Sequence, residues 1–408
     1  MRTERILSIV LALVLLASAM LMSVTPVAAY EKKIPCDTDG NNELTKEELV
    51  NAILPYMLGE GDLKLDDVGD AAWVYAYWGG KPKTIVDQAD RTVTLYRPVE
   101  RVVPAGILDG VRTLIQLGAI DKIVGINNYA KRYALKPSRY WSPIREAAPE
   151  LKDLPDVGGY RNPNMEVILS LKPDVVFEYA PIPDIADTIQ ENTCIPVICI
   201  KSSQFDFEMH RLVGCVVGKE ERAEELISYA NEEIAKITEV TSEIPDSEKP
   251  KVYCISGCGG KSAITKTWGR YDPIDIAGGI NVAKEYVISS GSVMVSKEQI
   301  IKWNPDIILI HGIFPPHKIS IDDVLADPDL QTVNAVKNRN VNYTKGYMIG
   351  WDPATGLTEC FYFAKLFHPD KFKDLNEEEE GNEILEKFYG VDGLYTKMLD
   401  LSDRYRWE

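Results

Sequence analysis

The sequence predicts an α/β fold of two lobes with parallel sheets, joined by a single long helix and preceded by a small α-helical module. Three observations carry this. From about residue 92, short β-branched runs alternate with helix-like stretches, the pattern of parallel strands covered by helices on both faces. Residues 164–176 return, in kind, at 296–308. Residues 219–244 keep one apolar and one charged face with no Gly or Pro between them.

The chain opens Met1-Arg2-Thr3-Glu4-Arg5, continues with an uncharged run from Ile6 to Val24, and then reads Thr25-Pro26-Val27-Ala28-Ala29. A basic start, an apolar run and small residues at the end make 1–29 a secretory signal peptide cut near Ala29. The rival reading is an uncleaved anchor, because 19 apolar residues just span a bilayer. Either way the expected location is exported, extracellular or periplasmic. That excludes ATP-dependent cytosolic chemistry, so Gly257-Cys-Gly-Gly-Lys261-Ser262, which imitates the end of a P-loop, is read as a plain loop.

Of the 408 residues, 62 are acidic and 45 basic, a net charge of −17, so no nucleic-acid partner is expected. The four histidines are scattered, which counts against a multi-His metal centre. Seven cysteines cannot all pair with one another, and several lie in apolar runs; buried free thiols are expected. Cys254 and Cys258 have no second pair of ligands nearby.

Residues 30–82 form the module. Asp37, Asp39, Asn41, Glu43, Thr45 and Glu48 place oxygen or carbonyl ligands at the spacing of a twelve-residue calcium loop, closed by a bidentate Glu. Asn42 stands where that loop wants Gly; Asn tolerates the left-handed conformation better than most residues. The bland alternative is an acidic cap on a helix over 45–57. Gly61–Asp70 carries acids without the spacing. The module resembles EF-hand and dockerin-type modules, which implies bound Ca²⁺ and leaves a cohesin-like partner as an alternative.

Strands are expected at 101–103, 122–126, 174–177 and 196–200, and, after the long helix, at 251–255, 306–310 and 340–343. Each half of the repeat starts with a helix N-cap (Asn164, Ser296), has an acid in the first turn (Glu166, Glu298), and ends in Pro-Asp before a buried strand. Two Rossmann-like lobes follow, lobe one over 92–205 and lobe two over 246–408, with the linker helix region at 206–245. One stiff linker allows little hinge motion. Glu377–Glu380 reads as a solvated helix start, and Asn342-Tyr-Thr344 as a formal glycosylation triplet.

Over 92–408 the landmarks Arg101-Val-Val-Pro-Ala-Gly, Leu117-Gly-Ala-Ile-Asp-Lys-Ile-Val-Gly125, Asp156-Val-Gly-Gly159, Gly218-Lys-Glu-Glu-Arg-Ala223, Asp275-Ile-Ala-Gly-Gly-Ile-Asn281 and Phe367-His-Pro-Asp-Lys-Phe372 occur in order. With the repeat and the long linker, they resemble the helix-linked solute-binding proteins of ABC importers that carry vitamin B12, haem and iron–siderophore complexes. The resemblance implies a monomeric protein that performs no chemistry. It captures a small metal chelate, an iron–siderophore first and a corrinoid or haem second, and delivers it to a permease. It also implies one docking acid per lobe, Glu166 and Glu298. A calcium-dependent surface scaffold and an exported chelatase-like enzyme are the readings from other classes.

Ligands of open α/β sheets sit at the carboxyl ends of the strands. There the sequence places Asn127, Tyr129, Arg132, Tyr160, Arg161 and Tyr179 in lobe one, and Trp268, Arg270, Tyr271, His311 and Trp351 in lobe two. Aromatic faces suit flat or macrocyclic guests, and Arg suits carboxylate or phosphate. Trp268 and Trp351 are expected to be exposed. His311, with His317 nearby, is a candidate axial metal ligand; a polar loop histidine is the bland alternative.

Overall fold

A computed structural model describes residues 34–60, 62–135, 142–256, 263–286, 292–311, 319–345 and 351–400. The signal-peptide segment, Cys258 and His317 lie outside them. The described chain divides into two compact units, one reaching Val86 and including Asp90–Arg97, the other made of Asp87–Ala89 and the chain from Pro98 onward.

In the first unit, α1 (Lys46–Leu58) and α2 (Leu65–Trp78) precede an antiparallel ribbon of β1 (Lys83–Val86) and β2 (Thr92–Leu95). Thr45 and Glu48 cap α1 reciprocally, satisfying its first free N–H groups. Gly59 and Gly79 close the helices in the left-handed conformation. Ile34, Leu44, Leu49, Ala71, Val74 and Tyr96 form the core.

The second unit holds both lobes. In lobe one, β3 (Val102–Pro104), β6 (Val175–Tyr179) and β7 (Val197–Ile200) make a parallel sheet in the order β3-β6-β7. The hairpin of β4 (Gly158–Gly159) and β5 (Asn162–Pro163) stands apart. Around the sheet lie α3 (Asp109–Gln116), α4 (Met165–Leu171) and α5 (Pro183–Thr193). The strand expected at 122–126 is absent. A 3-10 turn covers Ile120–Lys122, and Ile123 and Ile126 make only isolated bridges, to Val102 and to Asp156. The run changes partner midway, from Val102 to Pro155, so no ladder builds. Gly125 lies at that change, where a Cβ would come within 2.5 Å of Leu171.

Beyond α6 (Glu208–Val217), α7 (Glu220–Thr241) spans about 33 Å at helical rise. It is continuous, with Leu226, Ile227, Ala230 and Ile237 buried on one face.

Lobe two has β8 (Lys251–Ile255) beside β12 (Ile307–Ile310), β12 beside β13 (Val341–Tyr343), and β10 (Ile280–Asn281) on β8, all parallel. Its sheet is nevertheless mixed, against expectation. The chain doubles back after β8, so β9 (Lys266–Trp268) runs antiparallel to both of its neighbours, β8 and β11 (Ser292–Met294). The lobe also contains α8 (Lys297–Trp303), the almost wholly buried α9 (Pro353–Phe367), and α10 (Glu377–Tyr389).

The repeat is structural. Asn164 and Ser296 cap α4 and α8 through the N–H of Val167 and Gln299. Lys172 and Asn304 end them with the same left-handed φ of 46°. Asp174 and Asp306 then tie each lobe's later strand to its first, accepting from Arg101 and Lys251 backbone N–H. Glu377 is not solvated as expected. It is buried at the start of α10, paired with the Lys345 ammonium and accepting from the Tyr395 hydroxyl. Of the described cysteines, all free, Cys199, Cys254 and Cys360 are buried, whereas Cys194 is exposed. No helix among the described residues is long and apolar enough to cross a membrane.

Candidate functional site

Asn127 caps a short turn by accepting from Ala130 N–H at 2.8 Å, and its amide donates to the carbonyls of Pro104, Gly106 and Ile107. It is fully buried, so its side chain organises the loop after β3 and does not face outward. Around that loop the tyrosines pack in sequence: Tyr133 on Tyr129 at 4.5 Å, Tyr129 on Tyr160 at 6.0 Å, and Tyr160 on Tyr179 at 6.4 Å between centroids. Arg132 lies over Tyr133 at 5.3 Å. Arg161 lies over Tyr160 at 5.2 Å and donates to its hydroxyl, which holds the guanidinium above its ordinary range. Half-buried tyrosines thus carry two exposed cations at the strand ends of lobe one. Tyr133, four residues after Tyr129 on the same turn, is the member the sequence reading missed.

In lobe two, Trp268 stacks on Tyr271 at 5.6 Å and meets His311 edge-on at 4.5 Å. Tyr271 meets Trp351 at 6.1 Å, and Trp351 meets Phe205 at 5.3 Å. The structure therefore brings Trp268, Tyr271, His311 and Trp351 into one cluster. The two indoles are not exposed as expected: they are 8% and 7% accessible, because each ring packs on another. His311 is buried between Trp268 and Tyr271. Arg270 stays outside the cluster in a two-pronged pair with Asp272.

Behind Trp351 lies a buried polar junction between the lobes that the sequence reading did not single out. Ser202 Oγ accepts from Trp351 N–H at 3.0 Å and donates to Asp109 at 2.9 Å. Arg112 donates to the Trp351 carbonyl. Gln116 and Tyr389 donate to the two oxygens of Asp352, the residue that caps α9. His210 meets Gln116 at 2.8 Å; burial and the nearby Arg112 push its pKa down to about 3, so it is neutral. Burial raises Asp109. Asp109, Arg112 and Gln116 recur at helical spacing in a helix that also carries Val111, Leu114 and Ile115, which is the one signal that would have pointed here.

Two further carboxyls are buried. Glu178, second to last in β6, accepts from Tyr179 N–H through Oε1, while Oε2 has no hydrogen-bond partner among the described residues. Glu359, on α9, accepts from the Tyr271 hydroxyl. Burial pushes both up to about 8, so both are mainly protonated at neutral pH.

In the first unit, carboxylate oxygens of Asp37, Asp39 and Glu48 lie within 4.8 Å of one another. Glu48 reaches across the loop to Thr38 N–H and accepts from Thr45. The Thr45 backbone N–H contributes most to holding its pKa near 2. Asn42 takes the left-handed φ of 63°. Asn41 is bound to Asp39, Thr45 caps α1, and Glu43 pairs with Lys81 at 3.2 Å, away from the cluster. Glu166 and Glu298 are exposed in the first turns of α4 and α8.

A family described as "Periplasmic binding protein" matches residues 107–348. The molybdate-binding protein MolA of Haemophilus influenzae is 25% identical over 336 residues, covering 75% of this chain and 91% of its own. The high-affinity heme uptake system protein IsdE of Staphylococcus aureus is 28% identical over 255 residues, 59% of this chain and 79% of its own. The solved structure of MolA bound to molybdate, at 23% identity, has a TM-score of 0.61 over 76% of this chain and 98% of that one, a likeness of fold.

Proposed function

Because the chain belongs to the periplasmic binding protein family, whose members bind solutes for ABC importers and are not enzymes, we propose that its solute is a compact metal chelate with anionic groups. An iron–siderophore is the first assignment and a corrinoid or haem the second. One observation carries the reading: the strand ends of lobe one offer tyrosines packed tilted and edge-to-face beside the solvent-exposed Arg132 and Arg161, and those of lobe two a Trp268–Tyr271–His311–Trp351 cluster. Ring faces recognise the extended body of a chelate, and guanidinium forks recognise its carboxylates. His311 is the candidate axial ligand. Glu166 and Glu298 are the candidate contacts to the permease. A bare oxyanion is the competing solute, favoured by the relative named for molybdate.

Titration of the full chain with a ferric catecholate, haemin, cobalamin and sodium molybdate, followed by tryptophan emission, tests the assignment. A one-to-one endpoint with a chelate, weakened about tenfold in R161A, is expected. Saturation by molybdate alone would replace the chelate with the oxyanion.

For the first unit we propose a Ca²⁺ ion held by Asp37, Asp39 and Glu48. Three convergent carboxylates and a left-handed Asn42 support it.

A further inference from the structure

Helices α4 and α8 repeat in exposure as well as in sequence. In each, the acid of the first turn is exposed, the isoleucine two positions on (Ile168, Ile300) is fully buried, and the residue after it is open to solvent. That open residue is Leu169 in one lobe, 45% exposed, and Ile301 in the other, 36% exposed. Among the described residues of this unit, the large exposed hydrophobics are Leu169, Tyr286, Met294 and Ile301, so one repeated position supplies two of four. Neither Leu169 nor Ile301 joins its lobe's core, whereas their neighbours Val167, Leu171 and Trp303 do.

A single surface leucine needs no explanation. The same apolar exposure at equivalent places in two lobes does, since nothing in the packing of either lobe calls for it. An exposed glutamate is weak evidence in a chain with 62 acidic residues. Residues three apart on a helix are neighbours, however, so each lobe presents one acid beside one apolar side chain.

We propose that Leu169 and Ile301 are the apolar anchors of a docking surface. The partner it fits is a transmembrane protein built about a two-fold axis, each half presenting a basic group beside an apolar pocket. This rests on the reading that Glu166 and Glu298 meet the permease, and it adds the part of the contact that charge does not supply. The acids fix register and speed encounter; the desolvated leucine and isoleucine slow dissociation. Two equivalent pairs match a partner of two equivalent halves.

The test uses the full chain and its cognate permease–ATPase complex in lipid nanodiscs, with binding followed by interferometry. L169S and I301S should each weaken binding about tenfold, and the double variant by about the product of the two. L169M/I301M should bind as wild type, and all variants should keep the wild-type melting temperature. If L169S/I301S binds within twofold of wild type while E166A/E298A is weakened, the anchors are overturned and the acid contacts stand. If neither pair is weakened, the permease-docking reading falls and the anchors with it. An effect of only one of the two single variants would overturn the two-fold match. Self-association of the wild-type chain that L169S/I301S abolishes, seen by analytical ultracentrifugation, would assign the surface to a second copy instead.

Discussion

Arg112 donates from Nη1 to the carbonyl of Trp351 at 3.1 Å, across 239 positions of sequence. Trp351 belongs to the aromatic cluster of lobe two, yet its peptide is gripped from lobe one: Arg112 holds the C=O and Ser202 the N–H. The same guanidinium lies 3.4 Å from Asp109 and 3.8 Å from Asp352, all three side chains being at most 5% exposed. Removing the cation leaves two buried carboxylates facing each other. R112M should therefore destabilise the chain by about 3–5 kcal/mol in urea unfolding. R112K should recover only part of this, because an ammonium cannot span the same acceptors as a fork. A loss below about 1 kcal/mol would show that the junction contributes little.

Gly356 sits one turn into α9, where a Cβ would come within 2.4 Å of the Trp351 ring. G356A should shift the tryptophan emission and cost about 1–3 kcal/mol through overpacking. The W351F/G356A double variant should regain most of that loss, since the smaller ring leaves room for the methyl. Additive losses in the two-variant cycle would mean that the ring and the glycine do not touch.

Glu178 and Glu359 are raised to about 8 by burial. In the unfolded chain both titrate near 4.3. The folded state thus holds protons that the unfolded state releases. Their stabilising contribution is complete below about pH 4.3 and is lost as pH rises through about 8. The melting temperature should decline between pH 5 and 8.5 more steeply in wild type than in E178Q or E359Q. Parallel profiles for all three proteins would refute the assignment.

The carboxylates of Asp37, Asp39 and Glu48 should bind one Ca²⁺ with a dissociation constant of about 10⁻⁴ M, the range of extracellular modules. N42G should tighten binding by easing the left-handed turn, and E48Q should abolish it. Calorimetry of the full chain with calcium chloride gives the answer; no heat in wild type would leave Glu48 as a helix cap alone.

Much of the frame was legible in the sequence because it rests on local rules. Asn164 and Ser296 announce their helices as caps, Pro173 and Pro305 announce the turns, and the spacing of Leu226, Ala230 and Ile237 fixes the long linker. Ile123 and Ile126 misled because their pattern is that of a strand while their partners differ. Trp268 and Trp351 were expected to face solvent because the count of neighbouring aromatic rings depends on which loops meet, and Phe205 and Trp351 meet only after folding. The junction was illegible for the same reason: Arg112, Ser202, Asp352 and Tyr389 are ordinary polar residues until long-range packing brings them together.

The lobes are held twice, by the unbroken rod of α7 and by the sealed polar knot behind Trp351. Two ties at different points restrict how far the lobes can part, so little of their relative freedom remains to be given up on binding.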